Sequence, residues 1–323
     1  MDFDGATILL TGGTGSFGNA FVTHALKHWP NATVRVFSRD ELKQSEMATK
    51  FQGAEQVRYL IGDIRDRQRV VRAMQGADIV VHAAAMKQVP ACEYNPSEAV
   101  QTNVVGSQNI VDAAIDAGVK RVIALSTDKA VNPVNLYGAT KLCAEKIFVQ
   151  GNAYASRSDT VISCVRYGNV IGSRGSVVPV LREQAARGRL LITDTRMTRF
   201  WITLDQAIAL VTYALGHAEG GEIFIPKIPS MRVTDLAEAI APGVGYDVVG
   251  IRPGEKLHES LIASDDSHHV VETDHGYVII PEHPWWGVSP QWDDATPVSD
   301  GFAYTSGDND VWLSVDEMRD LLG

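Results

Sequence analysis

Short runs of β-branched or apolar residues alternate along the first half of the chain with longer stretches whose apolar positions recur every three or four residues. The runs at 7–10, 33–37, 57–61, 79–83, 121–125 and 160–165 are bounded by turn or charged residues and read as buried strands. The stretches at 18–28, 66–74, 98–117 and 136–155 read as helices. Such alternation predicts an α/β fold built on a doubly wound parallel sheet, whose strands are covered on both faces and show little in/out alternation. Ligands then bind at the carboxyl ends of the strands.

Past Gly168 the rhythm weakens and glycine and proline accumulate. The expected division is a dinucleotide-binding domain over 1–168 with a returning segment at about 200–226, in which 222–226 rejoins the sheet. A smaller C-terminal substrate-binding lobe is expected from 169–199 and 227–323.

With 323 residues, 45% hydrophobic and 21% charged, the chain can bury a sizeable core unaided. Its formal net charge of −10 repels a phosphate backbone on average, so no nucleic-acid partner is expected. Cys92, Cys143 and Cys164 lack the spacing of a disulfide framework or a tetrahedral metal site and read as reduced thiols, with no metal expected. No apolar run approaches the length of a membrane span, and Met1-Asp2-Phe3-Asp4 is acidic where a signal peptide is basic. A cytoplasmic protein without membrane contact is expected. His258, His268, His269, His275 and His283 show no ligand spacing and read as surface or structural residues, and Trp285, Trp286, Trp292 and Trp312 as lobe core or subunit contacts.

Thr11-Gly12-Gly13-Thr14-Gly15-Ser16-Phe17-Gly18 follows the first strand and opens the first helix, placing Gly12, Gly15 and Gly18 at Gly-x-x-Gly-x-x-Gly spacing. Glycines admit a pyrophosphate to the backbone, and the helix N-terminus supplies amide donors. In this context the turn reads as a Rossmann-type dinucleotide site rather than a merely tight turn. At the end of the second strand an NAD site usually carries Asp or Glu, whereas this chain has Ser38-Arg39, which favours the extra phosphate of NADP over NAD. Lys43 adds positive charge, and Asp40 argues the other way. Asp63 and Ile64 fit an adenine edge, and Ala83-Ala84-Ala85 offers small residues for close cofactor approach.

Tyr137 and Lys141 lie four apart in a helical stretch and therefore share a face. This is the acid/base pair of a short-chain dehydrogenase. A free tyrosine titrates at about pH 10, so work near neutrality asks for about three units, about 4 kcal/mol, from nearby positive charge. Lys141 and an oxidised nicotinamide are the expected sources.

With these motifs the chain resembles the extended short-chain dehydrogenase/reductases that act on nucleotide sugars. Within them it resembles the inverting UDP-N-acetylglucosamine 4,6-dehydratases of the pseudaminic acid type. The resemblance rests on 11–18, FSRDELKQ at 37–44, AAAMKQVPACEYNP at 83–96, STDKAVNPVNLYGATKLCAEK at 126–146, RYGNVIGSRG at 166–175, RPGEKLHE at 252–259 and the tail 302–322. Asp128-Lys129 is the discriminating piece, because retaining dehydratases carry Asp-Glu there and 4-epimerases small hydroxyl residues. Taken alone, the pair reads equally as a surface ion pair.

The resemblance implies that Tyr137 takes the O4 proton during C4 oxidation. Lys129, if neutral, then removes the acidified C5 proton, and Asp128, if protonated, donates to the departing C6 hydroxyl. Some relatives replace the tyrosine by methionine and follow an altered course; this chain keeps Tyr137. For UDP-GlcNAc the resemblance implies Arg199 and Arg252 at the diphosphate, Glu255 at a ribose hydroxyl, Lys87 and Asn169 near the sugar and first phosphate, and Val177 and Thr193 on the uridine side. A homo-oligomer is expected through the helical stretches 98–117 and 136–155. A nucleotide-sugar 4-epimerase or reductase is the alternative enzyme, which Lys129 argues against because epimerisation needs no base at C5. A non-catalytic dinucleotide sensor is the alternative outside enzymes, and the joint presence of Tyr137, Lys141, Asp128 and Lys129 argues against it.

Overall fold

The computed structural model describes residues 3–155, 159–173, 175–281, 292 and 295–323, so that His283, Trp285 and Trp286 lie outside the described residues. The first half runs β1 (Thr7–Thr11), α1 (Ser16–His28), β2 (Thr33–Ser38), α2 (Glu41–Lys50), β3 (Val57–Ile61), α3 (Arg67–Met74), β4 (Ile79–His82), α4 (Val89–Tyr94), α5 (Pro96–Val100), α6 (Gly106–Asp116), β5 (Arg121–Leu125), α7 (Leu136–Ala155) and β6 (Val161–Val165). The second half adds β7 (Asn169–Val170), α8 (Val177–Ala186), β8 (Leu190–Ile192), β9 (Thr198–Ile202), α9 (Leu204–His217), β10 (Ile223–Ile225), β11 (Ser230–Arg232), α10 (Val233–Ile240), β12 (Tyr246–Val248) and β13 (Ser260–Ile262). It closes with β14 (Val270–Thr273), β15 (Gly276–Ile279), β16 (Thr296–Pro297), β17 (Tyr304–Thr305) and α11 (Val315–Leu322).

In the main sheet, strands β3-β2-β1-β4-β5-β6-β10 run parallel in that order. Their apolar runs are buried from both faces, as in Ile8, Leu9 and Leu10 of β1 and Val80 and Val81 of β4. Local chemistry sets the helix starts: the Asp40 and Asp66 carboxylates accept from the Lys43 and Arg69 amides, and Thr203 with Gln206 forms a capping box. Strand order reverses between β1 and β4, which opens the crevice expected at such a switch point. Among the described residues no helix is long and apolar enough to cross a membrane.

Two features depart from the sequence reading. The stretch 98–117 is not one α-helix but α5, a π-helical turn at Gln101–Val105, and α6. Asn103 in that turn accepts from the Met86 amide at 2.8 Å and donates to the Met86 carbonyl at 2.9 Å and the Thr140 hydroxyl at 3.0 Å, so the irregular turn grips the loop after β4. The region after 227 is also shared out. Strands β15, β14 and β16 extend the main sheet antiparallel beyond β10, and Trp292 packs edge-on against Phe224 of β10 at 5.6 Å. A second core forms from Ile171, Leu181, Ile192, Trp201, Leu236 and Met318, on the segments that flank the β7-β9-β11 sheet.

Candidate active site

The glycine turn leaves no room for side chains. Gly12 has φ +65°, and a Cβ there would lie 2.8 Å from the Ala83 and Ala84 backbone. Gly18 serves the same turn from below, since a Cβ would meet the Gly13 carbonyl oxygen at 2.1 Å. Gly15 caps α1 without a side-chain hydrogen bond, so amides at this helix start face the crevice undistracted by a capping side chain. Beneath it, the buried Thr11 hydroxyl and His82 Nδ1 lie 2.8 Å apart, and burial drives the His82 pKa down to about 3, so the imidazole is neutral.

A cleft of about 810 Å3 runs from this turn across the strand ends. It is lined by Gly12, Thr14, Gly15, Ser16 and Phe17, by Ser38, Arg39, Lys43, Asp63, Ile64 and Ala83, and by Lys129, Tyr137 and Lys141. Lys87, from the loop after β4, and Asn169, Val177 and Glu255 also line it. The cleft therefore joins most of the expected cofactor and substrate residues. Gly18, Asp128, Thr193, Arg199 and Arg252 do not line it. Arg199 instead donates to the Thr198, Leu257 and Lys256 carbonyls, and Arg252 is exposed.

At the β2 end, Asp40 is consumed locally: its carboxylate caps α2 and pairs with the Lys43 ammonium at 2.7 Å. Arg39, more than half exposed, reaches Asp63 at 3.5 Å, and Asp63 also holds Arg65 at 2.7 Å. These residues fit a dinucleotide: a tight glycine turn whose Gly12 and Gly18 admit no Cβ, a helix start, and an exposed guanidinium at the β2 end.

The reacting end is a buried charge cluster. Asp128 and Lys129 form a short 3-10 turn after β5, positioned because the Thr127 hydroxyl accepts from the Lys129 amide and the Asp128 amide donates to the Tyr167 carbonyl. Lys129 Nζ lies 3.0 Å from Asp128 Oδ1, 3.4 Å from Asn169 Oδ1 and 3.4 Å from Glu259 Oε1. Burial raises the Asp128 pKa, Glu259 adds to the rise and Lys129 opposes it. The carboxyl thus sits above the usual range, as expected for a proton donor. Lys129 is drawn the other way. Burial pulls its pKa down, but the Asp128 and Glu259 carboxylates outweigh burial and hold the ammonium charged.

Tyr137 is pushed up to about 12 by burial, against the pull of the Lys129 charge and a hydrogen bond with Thr127. The cation acting on it here is thus Lys129 rather than Lys141. Lys141 is buried and donates to the Leu125 carbonyl at 2.7 Å. Glu259 and Thr127 are the participants that motif reading did not assign. Both stand inside quoted segments, but a spacing rule does not connect them to Lys129.

A family model described as a polysaccharide biosynthesis protein matches residues 8–281 of this sequence. The chain belongs to that family. Its relatives in the polysaccharide biosynthesis family include a UDP-N-acetylglucosamine 4,6-dehydratase (inverting) of Campylobacter jejuni, 49% identical over 99% of this chain and 98% of that protein. A UDP-glucose 4-epimerase of Rickettsia akari is 43% identical over 80% of this chain and 78% of that protein. The solved structure of Pen from Bacillus thuringiensis matches with a TM-score of 0.91 and 39% identity, covering 100% of this chain and 98% of that one. The full-length match is to the inverting dehydratase, the type that the sequence motifs resemble, whereas the epimerase match stops at four-fifths of the chain.

Proposed function

We propose that the protein is an NADP-dependent, C5-inverting UDP-N-acetylglucosamine 4,6-dehydratase, a hydro-lyase. The observation that carries this reading is Lys129 beside Tyr137 in one cleft, with the fully buried Asp128 carboxyl 3.0 Å from the Lys129 ammonium, since a 4,6-elimination needs both an acid and a base beyond the tyrosine. The full-length identity to proteins of that name supports it. An epimerase fits less well, because Lys129 would have no proton to remove.

Arg39 and Lys43 would hold the 2′-phosphate of NADP, with Asp40 withdrawn as a cap and therefore not competing for a ribose hydroxyl. Gly12 to Phe17 would take the pyrophosphate, Asp63 and Ile64 the adenine, and Ala83 the close approach of the ring system. The bound nicotinamide supplies hydride acceptance and return. Tyr137 takes the proton from O4. Asp128, kept protonated by burial, gives its proton to the leaving C6 hydroxyl as the C5 proton passes to Lys129. Lys129 takes the C5 proton in its neutral form, its ammonium having first released a proton to solvent through the cleft that it lines. Lys87, Asn169, Val177 and Glu255 line the volume left for the sugar nucleotide. Arg199, Arg252 and Thr193 would reach the diphosphate or uridine only after the RPGEK loop moves.

The reading extends to a cytoplasmic homo-oligomer. All three cysteines are free thiols, and Val100, Val105 and Tyr154 on the helical face expected to meet a second copy are exposed. The direct test is incubation with UDP-GlcNAc in deuterated water without added reductant, followed by NMR and mass spectrometry. A 4-keto product with a C6 methyl, deuterium at C5 and inverted C5 coupling is expected. A product that keeps its C6 oxygen would replace this reading with epimerase chemistry.

A further inference from the structure

We propose that Glu259 is a positioning residue that sets the charge of the Asp128–Lys129 pair, holding Lys129 as an ammonium and leaving the proton of the carboxyl pair on Asp128. This rests on the dehydratase reading, but it concerns a residue to which that reading gives no task.

Glu259 is 3% exposed, at the end of a conspicuously charged segment, yet it neither lines the cleft nor sits at the surface. Its Oε1 lies 3.4 Å from Lys129 Nζ and 3.8 Å from Arg199 Nε. Its Oε2 is buried with no hydrogen-bond partner among the described residues, as is Asp128 Oδ2 on the other side of the same ammonium. Three ionisable groups thus share a pocket that hydrates none of them fully. In such a pocket the carboxylate closer to additional cations keeps its charge and its neighbour takes the proton.

The surroundings decide which is which. Glu259 faces Lys129 from the turn after β5, Arg199 from β9 and Lys256 from its own loop, and these cations outweigh burial and hold its pKa below the ordinary value. Asp128 faces Lys129, Glu259 and Tyr137 and also feels Lys256, whereas Arg199 stands on the Glu259 side, 3.8 Å from its carboxylate. The negative Glu259 therefore disfavours a second negative charge on Asp128, whose carboxyl keeps its proton.

The backbone holds Glu259 in place independently of the cleft. Its amide donates to Ser306 Oγ at 2.9 Å, its carbonyl accepts from the Ser306 amide at 2.8 Å, and Ser306 Oγ lies 2.7 Å from Thr198 Oγ1. The carboxylate is therefore delivered to Lys129 by the β13–β17 pair rather than by substrate.

The test uses the full-length protein and its Glu259→Gln and Glu259→Asp variants, with two readouts. In the unliganded protein, the Cε signal of Lys129 in 13C-lysine-labelled material, assigned by its loss in Lys129→Arg, reports the ammonium titration. Glu259→Gln removes a negative charge from both neighbours, so this titration should move down by about one pH unit or more, and Glu259→Asp should restore part of it. With UDP-GlcNAc, the pH profile for formation of the C6-methyl product should shift to lower pH in Glu259→Gln by a similar amount. C4 oxidation, read from transient nicotinamide absorbance, should change by less than about threefold, because Glu259 touches neither reacting carbon.

An unmoved Lys129 titration in folded Glu259→Gln overturns the proposal, as does a profile lowered in height but unchanged in position. If the wild-type protein forms no dehydrated sugar, the dehydratase reading fails, and the Lys129 titration still decides the charge assignment. If Glu259→Gln does not fold, the same two measurements on Glu259→Asp decide it, since a longer Lys129–carboxylate separation must also lower the titration.

Discussion

Arg166 grips Glu145 with two parallel hydrogen bonds, Nε to Oε1 at 3.0 Å and Nη2 to Oε2 at 2.7 Å, while its Nη1 donates to the Leu261 carbonyl at 2.8 Å. Glu145 belongs to α7, two turns past Tyr137, and Leu261 to β13, two residues past Glu259. One buried side chain therefore ties the helix that bears the tyrosine to the strand that delivers the second carboxylate. Both partners are almost wholly buried, so truncating one strands the other's charge. Arg166→Leu should cost about 3–5 kcal/mol in denaturant unfolding, and Arg166→Leu with Glu145→Leu should recover much of it. A single variant within about 0.5 kcal/mol of wild type would show that the pair holds nothing.

Asp128 gives the fold a pH dependence whose sign is determined by its raised pKa. The folded protein binds this proton more tightly than the unfolded chain, whose carboxyl titrates near the ordinary 3.8. The resulting stabilisation is complete below that pH and is lost as pH rises through the higher folded pKa. Asparagine is neutral throughout. Asp128→Asn should therefore gain stability relative to wild type from acid towards neutral pH, measured as the difference in melting temperature across a pH series, while product formation falls by about 10^2–10^4-fold. A constant difference across the series would mean that Asp128 is ionised in the folded state.

Legibility in the sequence followed the range of the interaction concerned. The parallel strands and α7 are readable because apolar periodicity and turn residues are local, and the 136–155 stretch is the observed helix. The interruption at Gln101–Val105 is invisible to periodicity, because one π turn inserts a single residue and hardly displaces the apolar stripe; what demands it is Asn103 reaching Met86 and Thr140. Strands β14 to β16 are short and lie in a Gly- and Pro-rich region, and their place beside β10 is a tertiary choice. In the site, Tyr137 and Lys141 are readable as a spaced pair, whereas Glu259 meets Lys129 only because β13 packs beside the turn after β5. The charged state of Lys129 is unreadable for the same reason. Its second carboxylate is distant in sequence.

Arg39 is more than half exposed and its one ion pair among the described residues, to Asp63, is long at 3.5 Å, so it can turn to a ligand phosphate at little cost. Arg39→Ala should weaken NADP by about 10–100-fold, the worth of a charge-assisted contact, and leave NAD within about threefold. Calorimetry with both dinucleotides measures the difference. Equal losses for the two would remove Ser38-Arg39 as the reader of the 2′-phosphate and leave the preference to the turn itself.

Lys129 and Tyr137 should separate the two halves of the reaction. Lys129→Ala removes the expected C5 base, so loss of water should fall by about 10^2–10^4-fold, while hydride exchange at C4 persists. That exchange should have its optimum moved to higher pH, because Lys129 is the cation that pulls the Tyr137 pKa down against burial. Tyr137→Phe has the reverse signature. Oxidation at C4 should fall by a similar factor, yet deuterium should still enter C5 when the 4-keto sugar is supplied ready-made, since Lys129 and its carboxylates remain in place. Substrate deuterated at C4 and C5, followed by mass spectrometry, reads both steps at once. Full dehydration by Lys129→Ala would move the base assignment to another group in the cleft, with Tyr137 itself the nearest candidate by burial and position.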